Sequence, residues 1–167
     1  AVREGGIVAC ITSQGGLDAP ANAPIREYMM RNANLVGVAR LPNNLFTDNA
    51  GTEVGSDLII LQLYSGKKRE LYDYEELFVQ TEKTPIGSFQ NGYVGSIGMI
   101  PHSDLISGTD PYGKPAYKVM HRDGIGQMAE DLREHMDIEL YKLDKKLYEM
   151  PSLHPAQGKR TVTETIS

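Results

Sequence analysis

Apolar residues near the start of the chain gather in three unbroken runs instead of alternating with polar ones. Residues 7–12, introduced by Gly5-Gly6, residues 34–41 and residues 57–64 are each of strand length. An unbroken apolar run predicts a strand covered on both faces, as in an α/β sheet. Between the first two runs, 13–22 is rich in turn residues. The segment Pro24-Ile-Arg-Glu-Tyr-Met-Met-Arg31 then predicts a short helix, with Pro24 suited to its first turn and Ile25, Tyr28 and Met29 on one face. Strand, helix and strand in this order predict a right-handed parallel crossover. No helical period separates the second and third runs: 42–56 is fifteen residues holding Pro, Asn, Asp and Gly. The third strand is therefore expected to run antiparallel to the second. The expected fold class is α/β, a parallel sheet with one antiparallel edge strand.

Further on, 72–79 predicts a short helix, with Leu71, Phe78 and a solvated Glu75-Glu76 pair. Residues 81–120 are rich in Gly, Pro and Ser and alternate weakly at 93–100 and 117–120, which predicts irregular structure with one hairpin. Asp123 is placed to cap a long helix over 125–148, whose apolar stripe is Ile125, Met128/Ala129, Leu132, Met136, Leu140, Leu143 and Leu147. That spacing of three and four suits a helix docked on its own domain better than a free coiled coil. Met150-Pro151 ends it. Three stretches are thus expected: an α/β unit at 1–66, a helical extension at 67–150, and a disordered tail or linker at 151–167. The chain starts without Met and enters a strand at once, as expected of a piece of a longer protein.

At 167 residues and 40% hydrophobic content the chain can bury a core of its own. No apolar run nears the ~20 residues of a membrane helix, and the start is no signal peptide, so no membrane partner is expected. The single cysteine, Cys10, lies within the first apolar run and is expected as a small buried hydrophobe in a reducing, cytoplasmic setting. A net charge of −5 argues against a free-standing nucleic-acid binder, whose affinity comes from clustered basic residues. It leaves room for part of a larger DNA enzyme. Lys67-Lys68-Arg69 is expected as a solvated turn.

Few motifs carry chemistry. Ser13-Gln14-Gly15-Gly16 lacks the spacing of either nucleotide loop and no helix is expected directly after it. A structural turn is the better reading, although the carboxyl end of a parallel strand is where open α/β sheets hold ligands. Gly92, Gly95 and Gly98 are expected as turn and bulge glycines. His102, His121, His135 and His154 show no ligand spacing, so surface or capping roles and no metal site are expected. No nucleophile–histidine–acid set stands out.

Phe46 is the exception. A lone loop Phe ordinarily folds back on its sheet. Here Asn43, Asn44, Thr47, Asp48, Thr52 and Ser56 surround it with hydrogen-bonding groups at a strand's end. A stacking surface beside polar groups is what capture of a flipped base needs. The ordered set Gly-Gly-Ile-Val-Ala-Cys-Ile-Thr-Ser-Gln, Pro-Ile-Arg-Glu-Tyr-Met-Met, Asn-Leu-Val-Gly-Val-Ala-Arg-Leu-Pro-Asn-Asn-Leu-Phe and Gly-Thr-Glu-Val-Gly-Ser-Asp-Leu-Ile-Ile-Leu-Gln, all within residues 5–62, resembles the later half of an N6-adenine DNA methyltransferase domain. The likeness is to the methylase regions of large bacterial mobile-element proteins, which often carry a helicase-like region. Thr-Asp-Pro-Tyr-Gly-Lys-Pro-Ala at 109–116 is a weaker match in the extension.

The resemblance implies the last strands of a Rossmann-like methyltransferase sheet, with 1–66 as the carboxyl-terminal half of that domain. It implies S-adenosylmethionine as cofactor of the parent and DNA as partner, in restriction-modification or mobile-element protection. Phe46 carries over as the base-facing aromatic and Thr12 and Ser13 as pocket lining; Asn43 and Asn44 join the expected substrate site from their place in the polar pattern around Phe46. The glycine-containing cofactor loop and the (Asp/Asn)-Pro-Pro-(Tyr/Phe) motif of such enzymes do not occur in this chain. It is therefore expected to bind no cofactor alone, to be inactive alone, and to need the remaining methyltransferase half as partner. The alternative is a non-catalytic interaction domain that docks a partner through its long helix.

Overall fold

The structure, a computed structural model, describes residues 2–45 and 55–149 together with the backbone of 161–166. β1 (Ile7–Ser13) runs straight into a short helix α1 (Gln14–Asp18), followed by a 3-10 turn and α2 (Ala23–Asn32). A helix thus does begin directly after β1, where a plain turn was expected. β2 (Ala33–Leu41) and β3 (Ser56–Leu63) complete the part that the apolar runs announced. β2 is buried at every position, as an unbroken apolar run requires.

The architecture is mixed α/β. β3 pairs antiparallel with both β1 and β2, with Ile59 opposite Cys10 on one side and Val38 on the other. β1 and β2 therefore point the same way without touching. The antiparallel strand is internal, not the edge strand that was expected. Placed between two apolar strands it pairs on both sides, whereas an edge position would leave one row of its backbone groups bare. The sheet order is β2-β3-β1-β8, and β8 (Thr161–Ile166) lies parallel to β1. These six residues fall in the stretch expected as a disordered tail. Their Thr-Val-Thr-Glu-Thr-Ile sequence alternates and is rich in β-branched residues, which suits a strand.

β2 is an edge strand buried deep in the molecule, and among the described residues no paired strand covers its outer side. Three of its outward N–H groups nevertheless find acceptors. Leu35 N donates to Glu75 Oε2 (3.2 Å), Val38 N to Glu139 Oε2 (2.9 Å) and Arg40 N to Gly98 O (2.8 Å). The wider step from Leu35 to Val38 follows from a bulge at Val36, where the register with β3 shifts. The carbonyls are met too: Lys67 Nζ donates to Ala33 O and the His135 ring bonds Val38 O.

That requirement overturns several expectations. Glu75, in α3 (Asp73–Val79), is fully buried and also accepts from Lys67 (2.7 Å) and Arg69 (2.8 Å). Neither the acid pair nor the Lys67–Arg69 triplet is simply solvated. The helical segment at 125–148 is broken: α5 (Gly124–Glu139) gives way to a 3-10 turn and then α6 (Lys145–Tyr148). Gln62 brackets the backbone of Asp144 at the break, and Asp144 caps α6. Asp123 stands at the start of α5 without a side-chain cap bond. The buried stripe of α5 is Met128, Asp131, His135 and Glu139, while Ile125 and Leu140 are exposed. Likewise α2 turns Arg26 and Met30 inward, leaving Ile25 and Tyr28 in solvent. Arg26 donates to the carbonyls of Gly16, Ala19 and Val79.

Residues 81–120 are more ordered than expected. β4 (Thr81–Lys83) and β5 (Phe89–Asn91) form one hairpin, α4 (Gly92–Ser96) follows, and β6 (Ser103–Thr109) and β7 (Pro115–His121) form a second. Gly92 and Gly95 lie in α4, not in a turn or bulge. Asn91 starts that helix by accepting from Tyr93 N and Val94 N. No helix among the described residues is long and apolar enough to cross a membrane.

Two stability measurements follow. A Cβ on Gly37 of β2 would lie 2.8 Å from Glu139 Cβ and 2.7 Å from its Oε2. Gly37→Ala is expected to push α5 off the sheet edge and cost ~1–3 kcal/mol in urea unfolding. Burial alone would raise the Glu75 carboxyl, but the bonds from Arg69, Lys67 and the Tyr72 and Leu35 amides hold it below its ordinary 4.5. Such a group stabilises the fold above its ordinary value, and the contribution is lost as pH falls through the folded-state value. Glu75→Gln is expected to cost ~1.5–3 kcal/mol near neutral pH, and the gap from the parent chain should close as the pH drops below 4.5.

Candidate functional site

A cleft of about 1090 Å³ opens at the carboxyl ends of the parallel strands β1 and β2. Ser13, Gln14 and Gly15 enter it where β1 becomes α1, and Asn43 enters just after β2. The turn at Gly87–Gln90 and the tip of the β6–β7 hairpin form its outer walls. This is where an α/β sheet can admit a ligand, since the strands end and their connections diverge.

The floor is built from Arg40 and Asp18. Arg40, on β2, is almost wholly buried and grips two carboxylates in fork geometry. Its Nε and Nη2 donate to Asp57 (2.8 Å each) and its Nη1 and Nη2 to Asp18 (3.0 and 2.9 Å). Burial works against the guanidinium charge, but Asp57 and Asp18 outweigh it and raise the Arg40 pKa above the ordinary arginine value. Asp18 also accepts from Asn91 N at 2.9 Å, which fixes the start of α4 to the end of α1. The floor is thereby rigid, with its charged groups committed to one another.

Asn43 and Asn44 were expected to face a ligand, and the structure gives them another duty. Asn43 Oδ1 accepts from Val119 N at 2.8 Å. Asn44 pairs with the backbone of His121 in both directions, its Nδ2 donating to the carbonyl (3.1 Å) and its Oδ1 accepting from the amide (3.0 Å). Together they clamp β7 to the loop after β2. Gln14 adds a third tie, its Nε2 donating to Tyr117 O across the cleft at 3.1 Å. Ser13 lines the cleft. Thr12 is buried with its hydroxyl against Gly16 and does not line it. Phe46, Thr47, Asp48 and Thr52 lie outside the described residues.

The walls carry features that sequence reasoning passed over. Phe89 and Tyr112 line the cleft with exposed rings, Tyr117 with a half-buried one, and Lys114 and Lys118 stand beside them. Tyr112 sits at the hairpin tip. Asp110 Oδ1 accepts from Tyr112 N and Lys114 N, and Gly113 adopts φ +80°, as an Asp-Pro-Tyr-Gly turn needs. No His or Cys is among the described residues lining the cleft, and Asp18 and Asp110 are both engaged.

The described histidines are not simple surface groups. His121 and His135 are buried, and His121, His102 and Asp131 come together away from the cleft. Their spacing of nineteen and ten residues along the chain matches no local ligand motif, which is why only the fold reveals them.

The clamp has a direct test. Asn43→Ala strands the buried Val119 amide, at a cost of ~1–3 kcal/mol. Hydrogen exchange at Val119 and His121 should speed up while Ile59 and Leu61 in the sheet centre keep their protection. Comparisons of the chain with protein-family models, with curated proteins and with solved structures find no match.

Proposed function

We propose that this chain supplies the target-base side of an S-adenosylmethionine-dependent adenine-N6 DNA methyltransferase. The observation that carries the reading is the place of the cleft. It lies at the carboxyl ends of β1 and β2, and Asn43 and Gly55, which bracket the segment bearing Phe46, both line it. Two parallel strands with an antiparallel partner also suit the closing strands of a Rossmann-like methyltransferase sheet. In this reading a flipped adenine enters the cleft, stacks on Phe46 and meets the polar groups of the rim. Stacking contributes ~1–3 kcal/mol per base and offsets part of the cost of unpairing. The methyl donor and the group that holds the adenine amine come from residues outside this chain, because neither motif occurs in its sequence.

The second reading, an interaction domain, draws support from Ile125, Ile138 and Tyr141, which stand exposed on α5 and the turn after it. One set of measurements separates the two. Fluorescence anisotropy would compare this chain on a duplex with one unpaired adenine and on its fully paired counterpart. The methyltransferase reading expects tighter binding to the unpaired adenine, and loss of that preference in Phe46→Ala. A longer protein that contains this chain and an Asn/Asp-Pro-Pro-Tyr/Phe motif should move radiolabelled methyl groups from S-adenosylmethionine to adenine N6, and this chain alone should move none. No preference for the unpaired base and no label from the longer protein would leave the interaction domain as the better account.

A further inference from the structure

We propose that His102, His121 and Asp131 form a binding site for a divalent transition-metal ion of the zinc and cobalt class. The three come from separate elements: the turn before β6, the last residue of β7, and the second turn of α5. One ligand atom from each lies within 4.8 Å of the others. His102 Nδ1 is 2.8 Å and His121 Nε2 is 2.6 Å from the same oxygen, Oδ2 of Asp131. Two imidazole nitrogens and a carboxylate oxygen thus converge from three elements on one point. They form the donor set that zinc and its neighbours take, with metal–ligand bonds of ~2.0–2.2 Å.

The surroundings fit such a site. Asp131 and His121 are buried, while the His102 side chain is about half exposed (46%) and leaves the site open to solvent. Three protein ligands with an open side describe a site that can also bind water or a substrate atom. Gln127 Nε2 donates to the other Asp131 oxygen at 2.9 Å and so orients the carboxylate from outside the ligand set. His102 has φ +60°, the one positive value at a non-glycine position among the described residues, and the chain holds the ring toward Asp131 from that position.

One adjustment accompanies binding. Asp123 N donates to His121 Nδ1 at 3.1 Å, so in this structure the His121 proton sits on Nε2. Coordination through Nε2 moves that proton to Nδ1 and turns the Asp123 N–H away. Gly124 follows at once, with φ +76° and open space beside its Cα, so the backbone there is free to turn.

The test uses Co²⁺ as a visible probe and Zn²⁺ as its competitor on the full 167-residue chain. The expected result is a cobalt absorption band that Zn²⁺ abolishes, with shifts of the Asp123 amide and the His121 ring nitrogens in nitrogen–proton correlation spectra. His102→Ala, at a half-exposed position, should leave the fold intact and weaken Co²⁺ binding by at least ~10–100-fold. Asp131→Asn keeps the size of the side chain and should do the same. Should that variant fail to fold, His102→Ala carries the test by itself. The proposal is overturned if no band appears, or if the band survives His102→Ala undiminished. A band without movement of the Asp123 amide would also overturn it, because the ion would then sit elsewhere.

Discussion

The outer edge of β2 sets the terms for the rest of the molecule. A strand buried on both faces and along one edge must still pair its backbone N–H and C=O groups, and among the described residues no paired strand does it. Side chains take that role. Glu75 reaches Leu35 N, Glu139 reaches Val38 N, and His135 and Lys67 meet carbonyls. Each of these groups then needs partners of its own. Glu75 has Lys67 and Arg69, while Glu139 has Tyr93 and Lys142. Burying a charge costs several kcal/mol unless it is paired and hydrogen-bonded. One unpaired edge therefore commits two helices and a cluster of ion pairs, and it explains why α5 turns a polar stripe to the core.

The cleft follows from the same arrangement. Arg40 belongs to β2 as well, and its backbone and side chain act in different directions. Its N–H reaches Gly98 beyond the edge, while its guanidinium joins Asp57 of β3 to Asp18 of α1. Asp18 passes the link to Asn91 and hence to α4. The floor of the cleft is thus welded to the most buried strand. The rim is made otherwise, from hairpin turns held by Asn43, Asn44 and Gln14. Few apolar contacts back the hairpin: Leu105 and Ile106 on β6 and Tyr112 at the tip are exposed. A fixed floor under a lightly held rim can accept ligands of varied outline, with most adjustment at the Tyr112 turn.

How far the sequence could be read depended on which physical signal each element carried. The first three strands were legible because unbroken apolar runs have a single simple meaning, and their bounds hold to about a residue. The internal place of β3 was not, since pairing order depends on contacts far apart in the chain. The acids and the histidines misled for a related reason. Glu75, Asp131 and Glu139 look like any solvated helix face, and nothing local says that a bare strand edge lies opposite. Asn91 left a cap signal that a closer search for Asx residues before 92–96 could have found. Of the residues singled out for the site, Ser13 and Asn43 lie along the cleft, but the clamping role of Asn43 and Asn44 depends on β7, which weak alternation only half announced.

One hairpin ties the two candidate sites together. The tip of β6–β7 supplies Thr109, Tyr112 and Lys114 to the cleft, and its root carries His102 and His121. Asp131 holds that root to α5 through both imidazoles, and Glu139, on the same face of α5, holds the helix to β2. A chain of contacts thus runs from the sheet edge, along α5, through Asp131, and along two paired strands to the wall of the cleft. Substituting Asn44, which bonds the His121 backbone, would loosen the hairpin at its root, and so would loss of Asp131. Whatever occupies the cleft is therefore met by a wall whose position depends on how firmly Asp131 and its two histidines are joined.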